Sequence, residues 1–224
     1  VKDFSDQEIF ARIDHTLLQA AASWEEIKNL CDEAVRFKTA SVCIPPAYVK
    51  PVFEQYGNAL VICTVIGFPL GYTFTSVKAH ETSCALHDGA SEIDMVINIG
   101  DVKNGKFGNV IEEIKTIKKI CTEKILKVII ETCYLTEDDK IRLCGIVTEA
   151  GADFIKTSTG FGTAGAALAD IKLFAQHIGA GVKIKASGGI KTRADMVNFI
   201  NAGADRLGTS SAVKLLAGGG ATVC

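Results

Sequence analysis

No apolar run in the 224 residues approaches the roughly 20 that a membrane-spanning helix needs, so a membrane partner is not expected. The opening segment, VKDFSDQEIFARIDHT, lacks the apolar centre of a secretory signal, and a cytoplasmic protein is the expectation. Blocks of like charge are missing too. The 24 Lys and Arg and the 26 Asp and Glu are interspersed, for a formal net charge of −2, which leaves no basic stripe for nucleic acid and no cationic face for lipid. There is no C-x-x-C pair and no Cys/His cluster. The eight cysteines (Cys31, Cys43, Cys63, Cys84, Cys121, Cys133, Cys144 and Cys224) and four histidines (His15, His80, His87 and His177) are scattered. They are therefore expected to be reduced, mostly buried thiols and ordinary core or surface imidazoles, with no metal bound.

No linker rich in Pro, Gly or Ser interrupts the chain, and one domain over residues 1–224 is expected. What fills it is an alternation. Short apolar, β-branched runs at Ala11–Leu17, Thr39–Ile44, Ala59–Ile66, Glu92–Asn98, Leu126–Glu131, Phe154–Thr157, Val182–Ala186 and Arg206–Gly208 are separated by longer segments of helical period. Helix starts are marked by Ser23-Trp24-Glu25-Glu26, Pro45-Pro46, Thr136-Glu137-Asp138-Asp139 and Thr192 ahead of Asp195. One phrase recurs, in Asp88-Gly89-Ala90-Ser91-Glu92, Ala150-Gly151-Ala152-Asp153-Phe154 and Ala202-Gly203-Ala204-Asp205-Arg206. In each, a glycine can stop a helix before an acidic residue leads into a strand. Strands joined by helices must run parallel, and eight such units in this length suit an α/β fold of the (β/α)8 TIM-barrel type. An open doubly wound sheet is the competing arrangement, weakened by the lack of a G-x-G-x-x-G or P-loop turn near the first strand.

Strands of a parallel sheet are buried on both faces and should be almost wholly apolar. Charges near their C-terminal ends therefore stand out, because barrel enzymes carry their chemistry there. Asp14, Asp94, Glu131, Lys156 and Lys185 are such charges. Either lysine alone reads equally well as the ion-pair partner of a neighbouring carboxylate, but two on adjacent strands imply a site. Unit charges about 4 Å apart at an effective dielectric near 20 repel by about 4 kcal/mol. That is enough to bring a lysine from about 10.4 to about 7, where its neutral amine can attack a carbonyl carbon. Asp94 opposes part of this effect and offers a partner for returning a proton. Spacing does not decide which lysine is the nucleophile, although Lys156 opens the hydroxyl-rich run Lys156-Thr157-Ser158-Thr159-Gly160, which suits the orientation of water. Lys183 shares the parity of Lys185 and is expected to point inward, deeper in the barrel, beside a carboxylate.

A second constellation concerns phosphate. Ser187-Gly188-Gly189-Ile190-Lys191 follows the seventh strand and Gly208-Thr209-Ser210-Ser211 the eighth. Barrels often hold phosphate at these two positions, since glycines let backbone N–H groups approach an anion. Ordinary turns and caps explain either loop alone, but the two together favour a phosphorylated small molecule as partner.

These residues, with Ile13-Asp14-His15-Thr16-Leu17-Leu18, Ser41-Val42-Cys43-Ile44-Pro45-Pro46, Glu92-Ile93-Asp94-Met95-Val96 and Lys127-Val128-Ile129-Ile130-Glu131-Thr132, resemble the deoxyribose-phosphate aldolase family over nearly the whole chain. The resemblance implies a cofactor-free class I aldolase in which Lys156 forms a Schiff base while Asp94 and Lys185 move protons. It implies reversible cleavage of 2-deoxy-D-ribose 5-phosphate to acetaldehyde and D-glyceraldehyde 3-phosphate, by a homo-oligomer that is a dimer or tetramer. It sets the phosphate at Gly160, Gly188, Gly189, Gly208, Ser210 and Ser211, and gives Asp14 and Thr159 supporting places. Cys43 is set near the pocket, as an adduct site for reactive aldehydes.

Two departures from the family pattern stand out. Phe161 occupies a position where some relatives carry a phosphate-facing lysine, which Lys191 would replace in part, so phosphate affinity is in question. Leu215 to Cys224 contain no tyrosine, where some members use a terminal one in proton transfer. A different phosphosugar enzyme on the same barrel and a non-catalytic sugar-phosphate sensor are the other readings weighed.

Overall fold

A computed structural model describes residues 2–217, so Cys224 and most of the tyrosine-free C-terminal segment lie outside the described residues. Eight strands, β1 (Ile13–Thr16), β2 (Ser41–Ile44), β3 (Ile62–Ile66), β4 (Glu92–Val96), β5 (Ile125–Ile129), β6 (Phe154–Lys156), β7 (Lys183–Ser187) and β8 (Arg206–Thr209), form a closed barrel in chain order. Every neighbour is parallel, and β8 pairs back to β1, which overturns the open-sheet alternative.

Helix α1 (Asp6–Phe10) precedes the barrel and α10 (Ala212–Leu216) follows it. Between them, α2 (Trp24–Phe37), α3 (Val49–Tyr56), α4 (Thr75–His87), α5 (Ile99–Lys103), α6 (Phe107–Cys121), α7 (Glu137–Glu149), α8 (Leu168–His177) and α9 (Arg193–Ala202) supply the crossovers. The start signals act as expected: Ser23 with Glu26, Thr136 with Asp139 and Thr192 with Asp195 form reciprocal capping boxes that satisfy the free N–H groups of α2, α7 and α9. Gly89, Gly151 and Gly203, the glycines of the recurring phrase, all stand at positive φ just past a helix end, where a side chain would be strained.

Several strands are shorter than their apolar runs suggest. Residues Gly57–Ala59 form a 3-10 turn before β3, and Glu131, expected to close the fifth strand, lies beyond β5 in the left-handed region at φ 54°. In both places a turn takes over the backbone although the apolar pattern continues. Pro45-Pro46 opens a 3-10 turn, Pro46–Tyr48, ahead of α3 rather than the helix itself.

Alternation along the strands divides the residues between two layers. Outward go Ile13, Val42, Ile62, Ile93, Val128 and Ile184, all within the buried cluster that packs sheet against helices. Inward go Asp14, Cys43, Cys63, Asp94, Lys127 and Lys185, all buried as well. The inside of this barrel is therefore filled largely with ionisable groups.

Candidate active site

Strand register brings the charges together. Asp94 on β4 is the register partner of Lys127 on β5, and Lys156 on β6 is the partner of Lys185 on β7. Asp94 lies at the centre of the cluster. Its Oδ2 accepts from both Lys156 and Lys185 at 2.7 Å, so the two ammonium nitrogens are separated by at most twice that distance. Its Oδ1 accepts from Lys127 at 2.9 Å and from the Cys63 thiol at 3.1 Å. Asp14, the second residue of β1 rather than its end, pairs with Lys185 and Arg206 and receives a hydrogen bond of 2.7 Å from Ser41. Lys127 also reaches Glu92 at 2.6 Å, and Arg206 reaches Glu92 at 3.2 Å.

Such a cluster persists without water only if its charges compensate, since one buried ion without a partner costs several kcal/mol. That balance sets the protonation of each group. Burial alone would push the Asp94 carboxyl up, but Lys127, Lys156 and Lys185 together hold it well below the usual carboxylate range. Burial also opposes ionisation of Asp14, and Lys185, Lys127 and Arg206 outweigh it to hold that carboxyl low. Desolvation would strip the proton from Lys185, and Asp14 and Asp94 overcome it, holding this ammonium above the ordinary lysine range. Lys127 is raised by the same contest, with Asp94 as its largest opposing partner.

Among the described residues the cluster holds three carboxylates (Asp14, Glu92 and Asp94) against four cations (Lys127, Lys156, Lys185 and Arg206). Lys156 is the cation with contact to a single carboxylate, and its side chain keeps 4% exposure while those of Lys127 and Lys185 are at 0%. It is also the one that lines a cleft of about 360 Å³ at the C-terminal mouth of the barrel. Thr159, Gly160, Gly188, Gly189, Gly208, Ser210 and Ser211 line the same cleft, so every expected phosphate residue shares it with Lys156. Gly188 stands at φ 78°, and Gly165 packs so closely that a Cβ there would fall 2.3 Å from the Gly188 carbonyl carbon. A Cβ on Gly208 would fall 2.9 Å from that of Ser187 and 3.2 Å from Lys185 Cε. The glycines thus permit close approach of backbone to backbone and to the buried lysine.

The structure moves several residues from their expected places. Lys185 does not line the cleft: it is fully buried, and Ser187 rather than Lys185 ends the strand. Lys183, expected inside with a carboxylate, is exposed at the first residue of β7, its ammonium 5.8 Å from the Phe154 ring. The opposite rim of the barrel is open to water there, so no buried partner is required. Lys191 is exposed and does not line the cleft, whereas Phe161 does, packed edge-on against Phe68 at 5.4 Å between ring centres. Cys43 is buried with Cys63 and Val65 beneath Leu18 and Phe68, below the cleft rather than on its wall. Glu131 serves the loop after β6, accepting from the Thr159 hydroxyl and, at 3.2 Å, from the Thr159 N–H.

Lys127, Glu92 and Arg206 also belong to the cluster, and an expectation based on charges at strand ends leaves them out. Their signal was a charge inside an apolar run, as in Ile125-Leu126-Lys127-Val128-Ile129, and Glu92 shares the parity of Asp94. Cys43, Cys63 and Asp94, and likewise Asp14, Cys63 and Glu92, bring three potential metal donors within 4.8 Å of one another. Their carboxylate oxygens already accept from lysine or arginine, which suits an ion-pair network better than a metal centre.

A closed (β/α)8 barrel with a buried lysine–aspartate cluster under a glycine-walled cleft defines an aldolase-type site, and the profile of the DeoC/LacD family aldolases matches residues 9–216. The chain belongs to that family. It is 60% identical, over 96% of its length and 97% of the relative's, to the deoxyribose-phosphate aldolase of Clostridium botulinum strain Alaska E43. To the deoxyribose-phosphate aldolase of Clostridioides difficile strain 630 it is 58% identical, over 93% of this chain and 95% of the relative. Among solved structures, the tetrameric deoxyribose phosphate aldolase of Aeropyrum pernix superposes with a TM-score of 0.90 at 34% identity, covering 98% of this chain and 94% of that one.

Proposed function

We propose that this chain is a class I aldolase that reversibly cleaves 2-deoxy-D-ribose 5-phosphate to acetaldehyde and D-glyceraldehyde 3-phosphate, with Lys156 forming the Schiff base. The observation that carries this reading is the position of Lys156, the cation of the buried cluster that lines the glycine-walled cleft. The relatives named above supply the substrate.

A nucleophilic amine must first lose its proton. Three carboxylates facing four cations leave one cation in surplus, so a single deprotonation balances the cluster. Lys156, with one carboxylate contact and access to the cleft, is the group that can undergo it. Its lone pair attacks the C1 aldehyde of the open-chain sugar, and water leaves to give an iminium. The iminium draws in the electrons of the C2–C3 bond as the C3 hydroxyl loses its proton, and D-glyceraldehyde 3-phosphate departs. The enamine that remains takes a proton at C2, and hydrolysis releases acetaldehyde and the free amine.

Asp94 Oδ2 touches both Lys156 and Lys185, so one carboxylate links the nucleophile to a second proton carrier. Asp14 anchors Lys185 from the other side, and Thr159 holds the loop that carries Gly160. The phosphate end of the sugar is assigned to Gly160, Gly188, Gly189, Gly208, Ser210 and Ser211, where backbone N–H groups and hydroxyls share the anion's charge. We further propose a cytoplasmic homo-oligomer, dimer or tetramer, needing no cofactor; no described helix is long and apolar enough to cross a membrane.

The test is direct: supply the purified protein with 2-deoxyribose 5-phosphate and quantify acetaldehyde and glyceraldehyde 3-phosphate separately. Equal release of both is expected, with a much higher KM for unphosphorylated 2-deoxyribose. Saturable binding with neither product released would instead support the sensor reading.

A further inference from the structure

We propose that Cys43 and Cys63 form an oxidisable dithiol inside the barrel, and that closing it to a disulfide with hydrogen peroxide shuts down the proton relay at Asp94. The pair is a product of register. Cys43 on β2 is the direct partner of Cys63 on β3, and both side chains face inward. Neighbouring strands lie about 4.8 Å apart, within the Cα separation that a disulfide bridges. The two sulfurs lie within 4.8 Å of each other and of an Asp94 carboxylate oxygen.

Chemistry favours the pair, and a hollow lies next to the side chains that pack on it. The hydrogen bond shared with Cys63, with help from Lys185 and Lys156, holds the Cys43 thiol below its ordinary range against burial and Asp94, and the thiolate is the attacking form. Burial holds Cys63 well above its ordinary range, so the two thiols differ in role. The other buried cysteines, Cys31, Cys121 and Cys144, are all raised by burial. Leu18, Val65 and Phe68, which pack against or with the pair, also wall a hollow of about 200 Å³ with Pro45, Pro46 and Glu81. A peroxide molecule is little larger than water, whose share of liquid volume is about 30 Å³.

The step balances. The Cys43 thiolate attacks one peroxide oxygen and becomes a sulfenic acid as the other oxygen leaves, protonated, as water. The Cys63 sulfur then displaces the sulfenic oxygen as a second water. Two thiols and one peroxide give one disulfide and two waters, with two electrons passing from sulfur to oxygen. The consequence falls on Asp94, whose Oδ1 now accepts from the Cys63 thiol at 3.1 Å. A disulfide sulfur has no proton to donate and is drawn toward Cys43, so the carboxylate loses a partner next to the oxygen shared by Lys156 and Lys185.

The experiment uses the intact protein, titrated with hydrogen peroxide in the presence of a chelator, blocked with N-ethylmaleimide and digested for peptide mapping. A peptide cross-linked through Cys43 and Cys63 is expected, with aldol cleavage falling in step with its abundance and returning on treatment with dithiothreitol. Cys63→Ala and Cys43→Ala, each compared with its own starting rate, should lose that reversible component of inactivation. The activity readout rests on the proposed function, but the cross-link does not, so the two can fail separately. No cross-link in the parent protein, a cross-link without loss of activity, or equal reversible inactivation of both variants would each overturn the proposal.

Discussion

The two faces of the barrel sheet are both buried, yet they are built from opposite materials. Outward, Ile13, Ile62, Ile93 and Val128 meet helices and are held by the removal of apolar surface from water, which is non-directional and tolerant of small shifts. Inward, Asp14, Glu92, Asp94, Lys127, Lys185 and Arg206 hold one another through directional ion pairs that tolerate neither loss of a partner nor displacement. The contrast teaches that burial has two uses in this molecule. The outer layer stabilises the barrel, and the inner layer keeps several charges dry enough to fix one another's protonation beside the one amine that lines the cleft.

Substitutions on the two faces can break or sharpen that comparison. The largest effect is expected for Asp94→Asn, which removes the carboxylate shared by three lysines. Turnover should fall by about 10² to 10⁴-fold, and imine formation, followed by borohydride trapping under single-turnover conditions, should slow much less. Equal loss in both steps would contradict the relay.

Next come two substitutions of similar cost to stability but different cost to chemistry. Lys127→Met breaks a buried ion-pair network, at about 3–5 kcal/mol, and Ile93→Ala opens a cavity on the outer face, at about 2–5 kcal/mol. Denaturant melts should show comparable losses, while kcat per folded molecule should drop for Lys127→Met alone. A matching drop for Ile93→Ala would erase the distinction between the layers.

The inner layer should also leave a signature in pH. Asp14 and Asp94 are held below the ordinary carboxylate value, so their contribution to stability is present above about pH 4 and is lost as pH falls through their lowered values. Lys127 and Lys185 are held above the ordinary lysine value, so theirs is present below about pH 10.4 and is lost as pH rises through the raised values. The share of stability that these four groups supply should therefore be flat between those limits. Removing Lys127 should move the acid edge upward, because Asp94 loses its largest stabilising cation. An acid edge that stays in place would show that the cluster does not couple as described.

The smallest effect is expected at the rim. Phe161→Lys places a cation on the cleft wall at a half-exposed position, where a charge pair stabilises by about 1 kcal/mol at most. That corresponds to a KM for the phosphorylated sugar lower by up to about five-fold, with kcat unchanged. An unaltered KM would show that the phosphate lies beyond reach of this position.

Most of the architecture was legible in the chain because it is written in local signals. Capping boxes at Ser23, Thr136 and Thr192 and the glycines after α4, α7 and α9 mark helix ends through chemistry that acts within a few residues. The two glycine loops that line the cleft were legible for the same reason, as were Lys156, Lys185 and Asp94 as charges in apolar runs. What stayed hidden depends on three-dimensional register. Nothing in Ile125-Leu126-Lys127 says that Lys127 meets Asp94, and nothing near Arg206 says that it spans Asp14 and Glu92. Depth was hidden too. Lys183 and Lys185 share a parity, but one lies at the wet lower rim and the other at the dry centre, a difference of two residues along a tilted strand.

The account turns on which amine is covalently engaged. Incubation with 2-deoxyribose 5-phosphate and borohydride, followed by peptide mass spectrometry, should show the added mass on Lys156 and leave Lys127 and Lys185 unmodified. A stable adduct on Lys185, or none on any of the three, would contradict it.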